Sequence, residues 1–158
     1  MKKLIFILIV GSLFAKEQVE SQEIIDNINN GISIKYEDII VIGNVNFTSI
    51  YNNNTVVSEP EKTMLEKVTD FFIINDIKDN KEIISNIEVS VEFSGCTFMG
   101  KVIGWQNDNN NGISYKAVFK DTVIFSNCIF KDEVLFKYTE FNGKTEFSNN
   151  NYNKSTLF

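Results

Sequence analysis

The C-terminal half of the chain repeats every eleven residues. Residues 122–132 read TVIFSNCIFKD, residues 133–143 read EVLFKYTEFNG, residues 144–154 read KTEFSNNNYNK, and residues 155–158 begin another block with STLF. An earlier block, residues 90–100, reads SVEFSGCTFMG. Within a block, a small or β-branched residue stands two positions before a large one, usually phenylalanine, and the pair recurs after five residues. A fixed period of this kind is typical of a repeat architecture.

The repeat places two kinds of residue in fixed columns. The small column comprises Val91, Cys96, Val123, Cys128, Val134, Thr139 and Thr145. The aromatic column comprises Phe93, Phe98, Phe119, Phe125, Phe130, Phe136, Phe141, Phe147, Tyr152 and Phe158. Because side chains alternate along a strand, the two members of a pair point to the same side, and the polar or glycine residues between pairs suit tight turns. We therefore expect short strands with the aromatic rings stacked in an interior ladder, at a spacing of about 4.8 Å.

This pattern resembles the pentapeptide-repeat family, whose unit is a small residue, any residue, Leu or Phe, and two turn residues. Residues 91–95 (VEFSG) and 96–100 (CTFMG) follow that unit, and one extra residue, such as Lys101, comes after every second unit. The resemblance covers residues 90–158 and, less closely, 40–47. It implies an all-β fold, a right-handed parallel β-helix with four short faces, here with two eleven-residue blocks in each coil.

The N-terminus predicts export. Lys2 and Lys3 precede an apolar run from Leu4 to Val10, and small residues lead to Ala15. This order is typical of a secretory signal peptide, residues 1–15, cleaved near Ala15. The apolar run is too short to span a membrane as a helix. We expect a mature protein in the periplasm, in the cell envelope or outside the cell, with no membrane insertion after cleavage.

Two further regions complete the predicted domain organisation. Residues 16–33 form an N-terminal capping helix, in which Ser21 caps the start, Ile24, Ile25 and Ile28 share a face, and Gly31 ends it. The β-helix domain, residues 34–158, begins with the inward pairs Ile40/Ile42 and Val45/Phe47. The run from Ser21 to Phe47 is similar to the N-terminal leader of exported pentapeptide-repeat proteins.

The repeat fails in two insertions. In residues 51–86, the stretch Ser58-Glu59-Pro60-Glu61 resembles a helix start, and Met64, Leu65, Val68, Phe71 and Phe72 share one helical face. This segment is therefore an inserted amphipathic helix or, as the alternative, a flexible loop. In residues 105–112, WQNDNNNG, the Asn and Asp content predicts a loop that projects from the stack.

Composition argues against catalysis. The chain has no His, which excludes Ser-His-Asp triads, Cys-His pairs and histidine metal ligands. It also has no Arg, which excludes a guanidinium group that binds a phosphate or carboxylate through two hydrogen bonds. Acidic residues at outward positions could in principle pair for glycoside cleavage, as in some β-helix enzymes, but no pair stands out among Glu92, Asp121, Asp132, Glu133, Glu140 and Glu146. We expect no enzyme activity, no catalytic, cofactor-binding or metal-binding residues, and no cofactor. The net charge of −6 disfavours nucleic acid as a partner.

The two cysteines are expected to serve as small apolar core residues. Cys96 and Cys128 share the small column but are 32 residues apart, about one and a half coils of 22 residues. That spacing places them on opposite walls, too far apart for a disulfide.

Recognition features are few. Trp105 with Asn107 and Asp108 could form a recognition loop that stacks on a sugar ring, although a Trp folded back over the coil is the alternative. The last block stops in register at Phe158, so we expect end-to-end pairing with a second copy or, alternatively, further residues beyond this sequence.

The favoured function is an exported, non-catalytic structural or protein-interaction scaffold whose protein partner the sequence does not identify. One alternative is a carbohydrate-binding or carbohydrate-active β-helix. Another resembles the DNA-mimicking pentapeptide proteins that bind type II topoisomerases. The acidity of the chain fits that second alternative, but the export signal disfavours it.

Overall fold

Short strands dominate the computed structural model, which describes residues 16–51, 54–58 and 81–158. Within these ranges the chain forms strands β1 to β18, one α-helix, α1 (Ser21–Asn29), and one 3-10 helix, Phe47–Ser49. Most strand pairs are parallel, and the prediction of an all-β parallel fold is confirmed. The predicted signal peptide and the predicted helix across residues 59–72 lie outside the described residues.

The strands form four sheets. Sheet A contains β1 (Gln18–Glu20), β3 (Ile40–Ile42), β8 (Thr97–Phe98), β13 (Ile129–Phe130) and β17 (Asn151–Tyr152), in that order. Sheet B contains β2 (Ile34–Glu37), β7 (Val91–Ser94), β12 (Val123–Ser126) and β16 (Thr145–Ser148). Sheet C contains β4 (Val45–Asn46), β9 (Val102–Ile103), β14 (Val134–Leu135) and β18 (Thr156–Leu157). Sheet D contains β5 (Asn54–Ser58), β6 (Lys81–Ile87), β11 (Ile113–Phe119) and β10 (Trp105–Asp108), and β15 (Glu140–Phe141) pairs with the end of β11.

The chain passes through the sheets in the order B, A, C, D and then returns to B. Each such passage is named a circuit here: circuit 1 runs from β2 to β6, circuit 2 from β7 to β11, circuit 3 from β12 to β15, and circuit 4 from β16 to β18. Val123 pairs with Thr145, 22 residues further along, as two eleven-residue blocks predict. Val91 pairs with Val123, 32 residues further along, because a hairpin lengthens circuit 2.

Helix α1 covers the end of the stack formed by circuit 1. It packs against β1, β2 and β4, and it buries Ile24, Ile25 and Ile28. Ser21 does not cap this helix: Glu20 holds the N-cap position, without a side-chain hydrogen bond, because strand β1 continues to Glu20. Strand β1, which the sequence pattern did not predict, pairs parallel with β3 and adds one more strand to sheet A.

The predicted inward pair Ile40/Ile42 is wrong by one residue. Ile39 and Val41 are buried, whereas Ile40 and Ile42 are half-exposed. The run Ile39–Ile42 is apolar at every position, so the sequence does not show which of its two sets of alternating side chains is buried. The pairing of Val41 with Phe98 selects the buried set, since a one-residue slip would turn every side chain to the other face.

Both insertions contain strands that the sequence pattern did not predict. Residues 105–112 form a strand and a turn, not a projecting loop, because β10 pairs antiparallel with β11. Gly112 adopts a φ of +65° in that turn. Residues 81–87 form β6, part of the wall of the stack, with Ser85 and Ile87 buried. The two added segments enter the chain at one corner, between sheet C and sheet D.

The corner between sheets B and A is the same in every circuit. One residue there adopts the left-handed conformation, with φ values of +54° to +64°: Asp38, Gly95, Asn127 and Asn149. The N–H groups of the first three donate to the carbonyl of the next circuit, at 2.9 Å. Asn, Asp and Gly tolerate this conformation best, so the turn chemistry of the repeat follows from its geometry.

Candidate functional site

The predicted ladder residues line the interior. Phe93, Phe98, Phe119, Phe125, Phe130 and Phe136 are buried, Phe141, Phe147 and Tyr152 are half-buried, and Phe158 is 63% exposed. Phe125 stacks between Phe93 and Phe147, with ring centroids 5.2 and 5.4 Å away. In the small column, Val91, Cys96, Val123, Cys128 and Val134 are buried, Thr139 is half-buried, and Thr145 is exposed. Burial decreases toward circuit 4, on which no described residue stacks.

Cys96 and Cys128 lie on the same wall, so the prediction of opposite walls is wrong. The Ile129 N–H donates to the Cys96 carbonyl at 2.9 Å, which places Cys128 one circuit away from Cys96. The extra residues of the hairpin account for the difference, because they lengthen the chain without advancing it by half a circuit. Both cysteines are free and buried.

The two thiols interact with each other and with backbone carbonyls. The Cys96 thiol donates to Tyr36 at 3.4 Å, and the Cys128 thiol donates to Phe93 at 3.6 Å. The hydrogen bond with Cys128 lowers the pKa of Cys96 to about 7, although burial opposes this change. The same hydrogen bond, followed by burial, raises the pKa of Cys128.

An aromatic cluster lies on the outer side of sheet D. Trp105, at the start of β10, is half-buried, and Tyr138 is 60% exposed. Their rings meet edge to face, with centroids 5.2 Å apart. The Lys137 Nζ lies 4.7 Å from the Tyr138 ring centroid and 5.9 Å from that of Trp105. These three residues are named the Trp105–Tyr138 surface.

Tyr138 is held in an unfavourable backbone conformation. Its φ is +63°, and in its five-residue unit it holds the position that Asn127 holds in the preceding block. For a residue other than Gly, Asn or Asp, this conformation costs about 1–2 kcal/mol. Residues strained in this way are concentrated at functional sites. The sequence carried the signal, since EVLFKYTEFNG has Tyr where TVIFSNCIFKD has Asn.

An ion triad lies beside the Trp105–Tyr138 surface. Lys116, paired across the hairpin with Trp105, contacts Glu140 at 2.8 Å and Glu82 at 3.5 Å. Burial alone would lower the pKa of Lys116, but the hydrogen bonds and charges of the two carboxylates raise it overall. The hydrogen bond from Lys116 holds the pKa of Glu140 below its usual value. Glycoside hydrolysis requires a carboxylic acid that stays protonated, and Glu140 in this setting does not supply one.

The structure separates Trp105 from the other two residues of the predicted recognition loop. Asn107 and Asp108 line a depression at the tip of the hairpin, whereas Trp105, at the start of β10, contacts Tyr138. The Asp108 carboxylate accepts hydrogen bonds from the N–H groups of Asn110 and Asn111, at 3.0 and 3.3 Å, and thereby shapes the turn. Trp105 instead joins Tyr138 and Lys137, which the sequence analysis did not single out.

A shallow polar depression of about 570 Å³ lies along the tip of the hairpin. It is lined by Gln106, Asn107, Asp108, Asn109, Asn110 and Tyr115. Gln106 donates to Thr48 at 2.9 Å, and Asn107 donates to Asn109 at 2.7 Å. These side chains therefore hold the hairpin to the stack and close its turn.

The described ranges lack a membrane-spanning helix and a cluster of metal-binding side chains. None of their helices has the length and apolar character needed to cross a membrane. No group of three or more Cys, Asp or Glu side chains in these ranges is placed to hold a metal ion. In comparisons with protein-family models, with curated proteins and with solved structures, the chain has no match.

Proposed function

We propose that this protein is an exported, non-catalytic scaffold that binds a protein partner through the Trp105–Tyr138 surface. In this proposal the fold is a right-handed parallel β-helix of pentapeptide-repeat type. The repeated B, A, C, D order, the 22-residue period and the phenylalanine interior support that assignment. Export rests on the pattern of residues 1–15.

The strained and exposed Tyr138 is the observation that carries the proposed binding role. At the matching position of the other repeats, which lies at the corner between sheets B and A, an Asp, Asn or Gly residue satisfies the geometry without strain. Tyrosine there loses backbone stability and exposes an aromatic ring beside a tryptophan. Tyr and Trp are the residues that most often dominate the energy of protein–protein contacts. A cost in stability at a surface position is understandable if the ring serves binding.

The position of the surface on the stack also favours binding. The corner between sheets C and D carries Tyr138 in circuit 3 and the added segments in circuits 1 and 2. Segments that depart from a regular scaffold are where binding residues concentrate. The corner between sheets B and A, in contrast, keeps one backbone conformation in every circuit.

Lys137 favours a protein partner over a glycan. A sugar ring stacks flat on an indole face, and the Lys137 ammonium lies over the Trp105 and Tyr138 rings. A protein side chain can instead pack against the exposed edge of Tyr138 while a carboxylate of the partner pairs with Lys137. We therefore expect the partner to present an apolar side chain next to an acidic one.

The test compares two exposed tyrosines. The full chain with a C-terminal affinity tag, expressed with its own N-terminal segment, is used to capture partners from the cell envelope. Tyr138→Asn is the test variant, and Tyr51→Asn is the matched control, because Tyr51 is 66% exposed and lies at the end of helix α1, where its N–H donates to Asn29. We expect a partner that Tyr51→Asn retains and Tyr138→Asn loses. The same partner, once purified, should bind Tyr138→Asn at least ten-fold more weakly.

Three outcomes would contradict the proposal. One is a partner captured equally by both variants, and another is the absence of any captured protein. A third is binding to purified glycans that Tyr138→Asn abolishes, which would favour the carbohydrate-binding alternative. Mass spectrometry of the same preparations tests export, since cleavage near Ala15 predicts an N-terminus at or near Lys16.

A further inference from the structure

The stacked pair Cys96 and Cys128 suggests chemistry that the binding proposal does not use. These are the two cysteines of the chain, and both hold the small inward position of sheet A, in circuits 2 and 3. Residues in register on neighbouring parallel strands are about 4.8 Å apart, within the Cα separation that a disulfide spans. Register alone therefore places the two Cα atoms at a separation that a disulfide can span.

We propose that Cys96 and Cys128 form a disulfide that joins circuits 2 and 3 when the chain folds in an oxidising compartment. The two thiols release two protons and two electrons as the sulfur–sulfur bond forms. A disulfide-bearing oxidant, such as an oxidised oxidoreductase or a small-molecule disulfide, accepts the electrons as its own disulfide opens to two thiols. The reaction proceeds through a mixed disulfide, with one cysteine attacking the oxidant and the other resolving it.

The direction of the Cys128 thiol supports this pairing, whereas the Cys96 thiol, which donates to Tyr36 of circuit 1, rotates toward circuit 3 as the bond forms. The Cys128 thiol points toward circuit 2, where its sulfur is 3.6 Å from the carbonyl oxygen of Phe93. Cys96 lies three residues beyond Phe93, in the same circuit.

Burial determines when the bond forms. Cys96 and Cys128 are 0% and 1% exposed, so an oxidant does not reach them in the closed stack. Asn150, which holds the equivalent column position in circuit 4, closes the column above them. Its Oδ1 accepts from the Cys128 N–H and its Nδ2 donates to the Phe125 carbonyl, both at 2.8 Å. Oxidation therefore precedes the addition of circuit 4, and a chain that folds reduced stays reduced.

The bond would link residues on either side of the β10–β11 hairpin. The hairpin lies between the two cysteines in sequence, so the disulfide closes a loop that contains it. Closing a loop of this length restricts the unfolded chain and raises Tm, by roughly 5–10 °C for a chain of this size. The register of circuits 2 and 3 would thus persist even while sheet D rearranges around a partner.

The experiment controls the order of folding and oxidation. The full chain is unfolded in guanidinium chloride with reductant and refolded either in a glutathione redox buffer or in reductant alone. Each product is denatured and treated with iodoacetamide, and its mass is measured. We expect two alkylated cysteines after reductive refolding and none after oxidative refolding, with a higher Tm for the oxidised form. When oxidised glutathione is added to protein already folded reduced, we expect both cysteines to remain alkylatable.

Two results would overturn the inference. One is two alkylated cysteines after oxidative refolding of a chain whose circular dichroism is native. The other is an intermolecular disulfide in place of the intramolecular one, seen as a dimer on a non-reducing gel. Cys128→Val, with the residue type found in other small-column positions, should lose the Tm difference between the two buffers. The alkylation result in the unmodified chain does not depend on whether that variant folds, and it is independent of the proposed partner.

Discussion

Phe47 and Phe136 stack in the interior with ring centroids 6.5 Å apart, although one lies in circuit 1 and the other in circuit 3. The residue at the corresponding position of circuit 2 is Gly104, which has no side chain to separate them. A Cβ atom placed on Gly104 would lie 2.5 Å from the Phe136 ring and 2.5 Å from the Thr139 hydroxyl. The glycine is therefore part of the packing, and the two rings occupy the space that it leaves.

We predict that Gly104→Ala destabilises the fold by about 1–3 kcal/mol, because the added methyl group overfills a closely packed interior. Urea unfolding followed by circular dichroism measures this change. In a chain that already carries Phe136→Leu, Gly104→Ala should cost less free energy of unfolding than it does in the unmodified chain. The smaller leucine side chain leaves room for the added methyl group. Additive effects of the two substitutions would contradict this packing explanation.

The free energy of unfolding lost when an aromatic ring is removed should depend on the position of that ring along the stack. Phe125→Ala removes a buried ring with neighbours above and below, and we expect a loss of about 3–5 kcal/mol in the free energy of unfolding. Phe147→Ala removes a half-buried ring of circuit 4, and we expect less than half that loss. Equal costs for the two substitutions in chemical denaturation would show that an additional element, absent from the described residues, covers circuit 4.

The positive φ at the corner between sheets B and A predicts how substitutions of the exposed residue Asn127 change stability. Asn127 is exposed and has a φ of +54°, so Asn127→Ala should cost about 1 kcal/mol while Asn127→Gly should be nearly neutral. Lys131→Ala, at an exposed position without a positive φ, is the control and should leave Tm unchanged. If alanine and glycine were equivalent at position 127, backbone conformation would not be the reason for the asparagine.

Tyr138 should behave in the opposite way. Replacing it with asparagine removes the backbone strain and the ring contact with Trp105 together, so we expect Tm to remain within a few degrees or to rise. The same substitution should abolish partner binding. A large fall in Tm would mean that Tyr138 serves stability and would remove the reason for assigning it to a binding surface.

The triad around Lys116 predicts a specific pH dependence. Because the pKa of Glu140 is lower in the folded chain, its pairing with Lys116 stabilises the fold above the usual glutamate pKa of about 4.3 and is lost as the pH falls through the lowered value. We expect Lys116→Met to cost about 1 kcal/mol at pH 7, a modest figure because Glu140 is half-exposed. The difference from the unmodified chain should shrink between pH 5 and about pH 3. A difference that does not change with pH would assign the role of Lys116 to the packing of its aliphatic stem.

The all-β parallel fold and the interior columns could be predicted because two eleven-residue blocks make one regular circuit. Equivalent positions of successive circuits therefore have the same type of residue. Where an aromatic and a small residue alternate with polar ones, as around Phe125, only one face can be buried. In the run Ile39–Ile42 every position is apolar, and the register depends on the strand of the next circuit. Such a register is a property of the pairing and cannot be obtained from the segment alone.

The cysteines and the aromatic cluster illustrate a second limit. Counting 22 residues per circuit placed Cys96 and Cys128 on opposite walls, because the count did not include the residues that the hairpin adds. The hairpin could not be predicted from its Asn-rich sequence, which has low β-strand propensity. Strand β10 forms because it pairs with β11. Trp105 was recognised as a candidate from its residue type. Its contact with Tyr138 arises only when the hairpin lies beside circuit 3.

The shared entry point of the two added segments has a consequence for engineering. Residues inserted in the turn at positions 109–111 lengthen the β10–β11 hairpin, which the stack already accommodates. The interior phenylalanines of circuits 2 and 3, such as Phe93 and Phe125, therefore keep their stacking partners. A peptide epitope or a fluorescent reporter grafted there would be displayed next to circuit 2 of the stack. Because successive circuits expose the same corner, two grafts in neighbouring circuits would be held about one strand spacing apart, roughly 4.8 Å at their bases.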